Sequence, residues 1–219
     1  MKPRVLITVP NGSGWIHKHV AFALLRMAQD ARVAATIQLP THAPYVQNLH
    51  LCRREFLAGP FDYWLTLDDD NPPRRNPLDL ALLDLDVVGC PTPVWANICP
   101  GDFPVYWNAM DEVRDERGEV GFRPHQPCEG LQEVDAVGSG CLVIARRVME
   151  AVPAPFFREW DAEGLVRMGG DFAFCRRARA AGFHVFAHFD YPCHHFNEIE
   201  IGEVVEAFGR VSATSQSYL

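Results

Sequence analysis

The sequence predicts an α/β fold, with a mostly parallel central sheet, helices on both faces and a small antiparallel insertion. Three observations lead there. Between residues 4 and 90, short β-prone apolar runs alternate with amphipathic stretches of helical period, and Gly/Pro clusters punctuate them. Such alternation implies right-handed βαβ crossovers and a sheet covered on both faces. Between residues 93 and 133 the pattern breaks into Pro-, Trp- and charge-rich segments, read as short strands inserted into the main sheet. The length of 219 residues suits one such domain and is short for two.

The elements follow in order. "RVLITV" (Arg4–Val9) is a β-rich run ended by the turn formers "PNGSG". In "WIHKHVAFALLRMAQDA", Ile16, Val20, Ala23, Leu24 and Met27 recur at helical spacing. "VAATIQL" (Val33–Leu39) is a second strand closed by Pro40. Tyr45, Leu49, Cys52 and Phe56 form one face of the next helix, which Gly59-Pro60 stops. The strand "YWLTL" then runs into Asp68, Asp69 and Asp70. A short helix "PLDLALL" and a strand "DVVGCP" continue the alternation. In the insertion, "DERGE" (Asp115–Glu119) reads as a hairpin tip. "EVDAVGSGCLVIARR" is expected as one strong strand, although its Gly138-Ser139-Gly140 is unusual for a core strand. A short helix (Arg147–Val152) leads to a loop from Phe156 to Met168, read as a mobile lid with Phe157, Trp160 and Gly164. The helix "GDFAFCRRARAAGF" stops at Gly182, "HVFAHF" (His184–Phe189) is the last strand, and Ile201–Val211 is an amphipathic candidate helix.

Composition excludes several classes. The net charge of -8 argues against general nucleic-acid binding, which needs a basic footprint. Of the 20 basic residues only Lys2 and Lys18 are lysines; arginine suits phosphate contacts, but GC-rich coding is the favoured explanation of the bias. Seven cysteines (Cys52, Cys90, Cys99, Cys128, Cys141, Cys175 and Cys193) contain no CxxC pair. The expectation is therefore buried reduced thiols rather than a disulfide framework or a structural zinc site. No stretch is long enough for a membrane span and the N-terminus lacks a signal-peptide pattern, so a cytoplasmic location is expected.

The chemistry centres on the aspartates. Ligands of a parallel sheet bind at the carboxyl edge of the strands, and a period of two puts Asp68 and Asp70 on one side, Asp69 on the other. Converging carboxylates at such an edge suit a hard cation, Mg²⁺ or Mn²⁺, that also takes substrate phosphate oxygens. Aspartates after a strand also serve as plain turn and cap residues, so the triplet alone leaves both readings open.

The surrounding motifs resemble those of GT-A glycosyltransferases, particularly small family-2-like members. "YWLTLDDDNPP" is similar to their DxD segment, and "VLITVPNGSG" to the first strand and nucleotide loop. "LHLCRREFLAG" resembles the helix that carries an arginine before the DxD strand, and "VDAVGSGCLVIARRVMEAV" the acceptor-side strand. "GGDFAFCRRARAAGF" and "YPCHHF" look like the catalytic helix and the segment bearing a metal-binding histidine. The resemblance extends over most of the chain and implies a nucleotide-diphospho-sugar transferase fold. Residues 1–92 would then form the nucleotide half, 93–197 the acceptor and catalytic half, and 198–219 a tail.

The resemblance also implies roles. A UDP- or GDP-sugar would be the donor, with Pro10, Asn11, Arg53, Asp68, Asp69, Gly138, Ser139 and Gly140 around it. Mn²⁺ or Mg²⁺ would be held by Asp70 with His195 or His194. Asp171, in the first turn of its helix, would be the general base of an inverting transfer. Trp160 and Gly170 would face the acceptor, with Gly170 standing where the family often has Glu. Asp69 also reads as a simple cap, and the glycines as a β-bulge. Two other classes compete: a nucleotidyltransferase or pyrophosphorylase, for which the loop "PNGSGWIHK" is poor in lysine, and a non-catalytic sugar-nucleotide binding module. The acceptor is left open, a modified nucleic-acid base included.

Overall fold

The computed structural model describes residues 2–41, 44–95, 105–126, 129–152 and 156–196. The first half consists of β1 (Arg4–Thr8), α1 (Lys18–Ala28), β2 (Ala34–Gln38), α2 (Tyr45–Ala58), β3 (Tyr63–Leu67), α3 (Leu78–Ala81) and β4 (Val87–Gly89). Short strands follow: β5 (Pro93–Trp95), β6 (Val105–Trp107), β7 (Ala109–Arg114), β8 (Val120–Pro124), β9 (Leu131–Glu133) and β10 (Ala136–Val137). The chain continues through β11 (Cys141–Ala145), α4 (Arg146–Ala151), β12 (Glu159–Trp160), β13 (Val166–Met168), α5 (Gly170–Ala180) and β14 (Val185–His188).

The main sheet has the order β2-β1-β3-β11-β4-β14-β9. β1 is parallel to β2 and β3, and β14 is parallel to β4. β11 is antiparallel to both β3 and β4, so those two point the same way, and β9 runs against β14. The fold is thus mixed α/β with a mostly parallel sheet. Every residue of β3 and of β11 is buried, as expected for strands with both faces covered. The helical periodicities hold in the main: α1 buries Val20, Ala23, Leu24 and Met27, α2 buries Leu49, Cys52 and Phe56, and α5 buries Ala173, Phe174, Cys175 and Ala178, whereas Ile16 precedes α1 and Tyr45, expected on the inner face of α2, is exposed.

The expected single strand after Glu133 is two. Gly138-Ser139-Gly140 separates β10, which pairs with β7 in a second sheet, from β11 at the centre of the main one. The insertion is antiparallel as expected, with β5 paired to β6 and β7 to β8, and the β7–β8 turn closes through Asp115 N–H to Glu119 O at 3.0 Å. The segment expected as a lid loop is a hairpin, β12 against β13. Its turn is shaped by Asp161, whose carboxylate accepts from the N–H groups of Glu163 (3.0 Å) and Leu165 (2.8 Å), with Gly164 at φ +80°. Among the described residues no helix is long and apolar enough to cross a membrane. The candidate helix Ile201–Val211 lies outside the described residues.

Candidate functional site

The carboxyl ends of β1, β2, β3, β4 and β14 share one rim, and β11, running the other way, starts at that rim. Loops from distant parts of the chain therefore converge on the end of β3. The backbone stitches them together: His17 N–H donates to Asp69 O (2.8 Å), Asp68 N–H to Gly140 O (2.8 Å), and Phe196 N–H to Asp70 O (3.1 Å).

Asp68 is half-buried between two donors. Tyr45, at the first turn of α2, donates its hydroxyl to Oδ1 at 2.6 Å, and Asn71 Nδ2 lies 3.4 Å from Oδ2. Desolvation raises the Asp68 carboxyl to about 6; the Tyr45 bond opposes this, and the charges of Asp70, Asp171 and Asp69 add to it. Burial and the adjacent Asp68 charge push the Tyr45 hydroxyl well above its usual value. Asp69 is raised by burial and by Asp70. A rim of mutually repelling carboxylates is one that a cation would relieve.

Asp70 meets His195, whose Nε2 lies 3.6 Å from Oδ2. Nδ1 of His195 is 2.9 Å from Pro93 O. A carbonyl can only accept, so this contact places a proton on Nδ1 and turns Nε2 toward the carboxylate. A backbone partner behind an imidazole is the usual device for presenting it to a metal. His194 is exposed, whereas His195 is half-buried. A hard cation held by these two donors would have its remaining coordination positions open to other oxygens.

Asp171 stands in the first turn of α5, where its carboxylate accepts from Phe172 N–H (2.9 Å), with the Ser139 N–H nearby. Burial raises its pKa, and these N–H groups and Arg158 counter part of the rise. Asp171 is close enough for its charge to be felt at Asp68 and Tyr45. Desolvation thus makes the carboxylate a stronger base than a solvated one.

Several expected donor groups are otherwise engaged. Arg53 does not project to the rim: its Nη2 donates to Met149 O (2.8 Å) and Val152 O (3.3 Å), tying α2 to α4. Asn11 is buried and organises its own loop, accepting from Gly14 N–H (2.6 Å) and Ser13 Oγ (3.2 Å) and donating to Trp15 O; Pro10 beside it is buried as well. The glycines of Gly138-Ser139-Gly140 make room for protein rather than for ligand. A Cβ at Gly138 would lie 2.1 Å from Asn108 Nδ2, and one at Gly140 would lie 2.2 Å from Asn71 Nδ2. Gly170 is likewise set by packing, since a Cβ there would be 3.0 Å from the Phe156 backbone. Trp160, on the hairpin, is 58% exposed. Sequence reasoning missed Tyr45, counted as part of an apolar face, and Asn71, counted as turn chemistry; a hydroxyl in the first helical turn after β2 was the one available signal.

No family model matches the chain, and no curated protein matches it in sequence. Solved structures are similar in fold. The crystal structure of A197 from STIV aligns with a TM-score of 0.58 at 17% identity, over 89% of this chain and 86% of that one. The crystal structure of GalNAc-T7 with UDP, GalNAc and Mn²⁺ aligns with a TM-score of 0.53 at 11% identity, over 91% of this chain and 45% of that one. This chain therefore spans less than half the length of GalNAc-T7. CMP:2-keto-3-deoxy-manno-octonic acid synthetase complexed with CTP aligns at a TM-score of 0.44 and 13% identity, too distant to inform the fold.

Proposed function

We propose that the chain is a metal-dependent glycosyltransferase of the GT-A type, acting on a nucleoside-diphosphate sugar, and that it inverts the anomeric centre. The observation that carries this reading is the pairing of Asp70 with Nε2 of His195 (3.6 Å), on the same rim as the half-buried Asp171. The fold shared with GalNAc-T7, whose crystal structure holds UDP and Mn²⁺, supports it. Asp70 and His195 would hold Mn²⁺ or Mg²⁺, which supplies positive charge to the diphosphate leaving group. Residues 1–92 would carry the donor side, with Asp68 and Tyr45 toward the nucleoside. Residues 93–197 would carry the acceptor, the Trp160 hairpin standing beside it. Asp171 would take the proton of the acceptor hydroxyl as its oxygen attacks the anomeric carbon.

The test is turnover of a panel of UDP- and GDP-sugars, with and without Mn²⁺, identifying the nucleotide product. Release of a nucleoside diphosphate, dependent on Mn²⁺ and lost in both Asp70→Ala and His195→Ala, is the expected result. Release of pyrophosphate would make the enzyme a nucleotidyltransferase, and undiminished activity of Asp70→Ala would remove the metal assignment.

A further inference from the structure

At the same end of the sheet lies a second cluster that the cysteine spacing did not disclose. Cys90 directly follows β4, Cys141 opens β11, and Cys193 lies on the return segment after β14. All three are fully buried, and their sulfur atoms lie within 4.8 Å of one another. Each is fixed by the backbone: Cys90 N–H donates to Cys141 O (2.9 Å), Cys193 N–H donates to Pro91 O (2.9 Å), and Cys193 bridges to Pro73 across an antiparallel pair.

We propose that Cys90, Cys141 and Cys193 form a binding site for one soft, thiophilic cation of the Zn²⁺ or Cu⁺ type. A lone buried cysteine behaves as a small hydrophobe. Three that reach one point from three distant segments make instead the donor set that soft ions prefer. Sulfur atoms at about 2.3 Å from one ion stand about 3.8 to 4.0 Å apart, so sulfurs within 4.8 Å of one another need to draw together by no more than about 1 Å. The buried Thr92, whose hydroxyl donates to Cys90 O (3.4 Å), lies at the edge of the cluster. Three thiolates leave a smaller net charge with Zn²⁺ than with Cu⁺, which favours Zn²⁺ in a buried position. Binding replaces each S–H bond by an S–metal bond and releases that proton to solvent.

The consequence is mechanical. Cys193 precedes His195 by two residues, and Pro73 follows Asp70 by three. An ion here would pin β4, β11 and the return segment together and so fix both residues of the Asp70–His195 pair. The site itself does not depend on the glycosyltransferase reading, because its readout is the metal–sulfur bond rather than turnover.

The chain is purified under reducing conditions, its Zn and Cu are counted by elemental analysis, and the metal-stripped chain is titrated with Cd²⁺ while thiolate-to-metal charge-transfer absorption is followed. The expected result is about one equivalent of Zn or Cu per folded chain and a Cd²⁺ band that saturates at one equivalent. That band should persist in Asp70→Ala and disappear in Cys193→Ser, with Tm rising by several degrees on loading. Because a cysteine replacement in the core can unfold the chain, the wild-type and Asp70→Ala titrations decide alone. No band saturating at one equivalent, or a disulfide joining two of the three cysteines in the freshly isolated chain, overturns the proposal.

Discussion

Gly140→Ala tests whether the glycines of the β10–β11 connection serve packing or ligand approach. The new Cβ would lie 2.2 Å from Asn71 Nδ2, 3.2 Å from Asn71 Cγ and 3.3 Å from Asp68 Oδ2. Asn71 is only 4% exposed, so it has little room to yield. Overpacking of this kind costs about 1–3 kcal/mol. Asn71→Ala should cost about 1 kcal/mol, since the residue donates one long bond to Asp68 (3.4 Å) and its buried Oδ1 has no partner among the described residues. The same truncation empties the space that the Gly140 methyl needs. In the double variant the costs should therefore fall short of additivity by about 1–2 kcal/mol. The assay is urea denaturation of wild type, both single variants and the double variant, with m held constant as a check on the unfolded state. Gly140→Ala within about 0.5 kcal/mol of wild type, with additive costs, would refute the packing role and return Gly140 to the donor-approach reading.

Asp171→Asn should leave donor binding intact while slowing transfer by about a hundredfold or more; equal turnover would mean the base lies elsewhere. Asp68 is raised from 3.8 to about 6 in the folded chain, so the folded state keeps a proton that the unfolded state has lost. Its contribution should make stability fall as pH rises from about 4 to about 6 and stay level above, a slope that Asp68→Asn removes; denaturation midpoints that rise over this window because of Asp68 would contradict the crowding at the rim. Arg53→Ala should destabilise the chain by about 1.5–3 kcal/mol, through loss of charged hydrogen bonds to Met149 and Val152, with an unchanged KM for donor. A raised KM at unchanged stability would restore its phosphate role.

Periodicity made the outer parts of the fold legible. The faces of α1, α2 and α5 follow from apolar spacing, and β1 and β3 from β-prone runs ended by turn formers. Arg53 shows where that signal ends. A helical wheel puts it near the inner face of α2, but one face can lie over the sheet edge at its start and over α4 two turns later. The wheel carries no information about which. The hairpin at Glu159–Met168 was hidden for a related reason: strands of two and three residues are too short for a period of two to emerge.

Strand direction was the larger omission, and it decides the site. A buried apolar run such as "CLVIA" has the same pattern whichever way it points. Placed antiparallel between β3 and β4, it brings its first residue, not its last, to the rim. Only then does Gly140 pack on Asp68 and Asn71, Ser139 come near Asp171, and Cys141 reach Cys90. The adjacent histidines were distinguishable only in three dimensions as well. Pro93, the first residue of the insertion, supplies the carbonyl that holds Nδ1 of His195, and His194 has no such contact among the described residues. The insertion that broke the α/β pattern in sequence is thus what orients the residue facing Asp70, which makes the Pro93 segment part of the site's geometry rather than an ornament on the sheet.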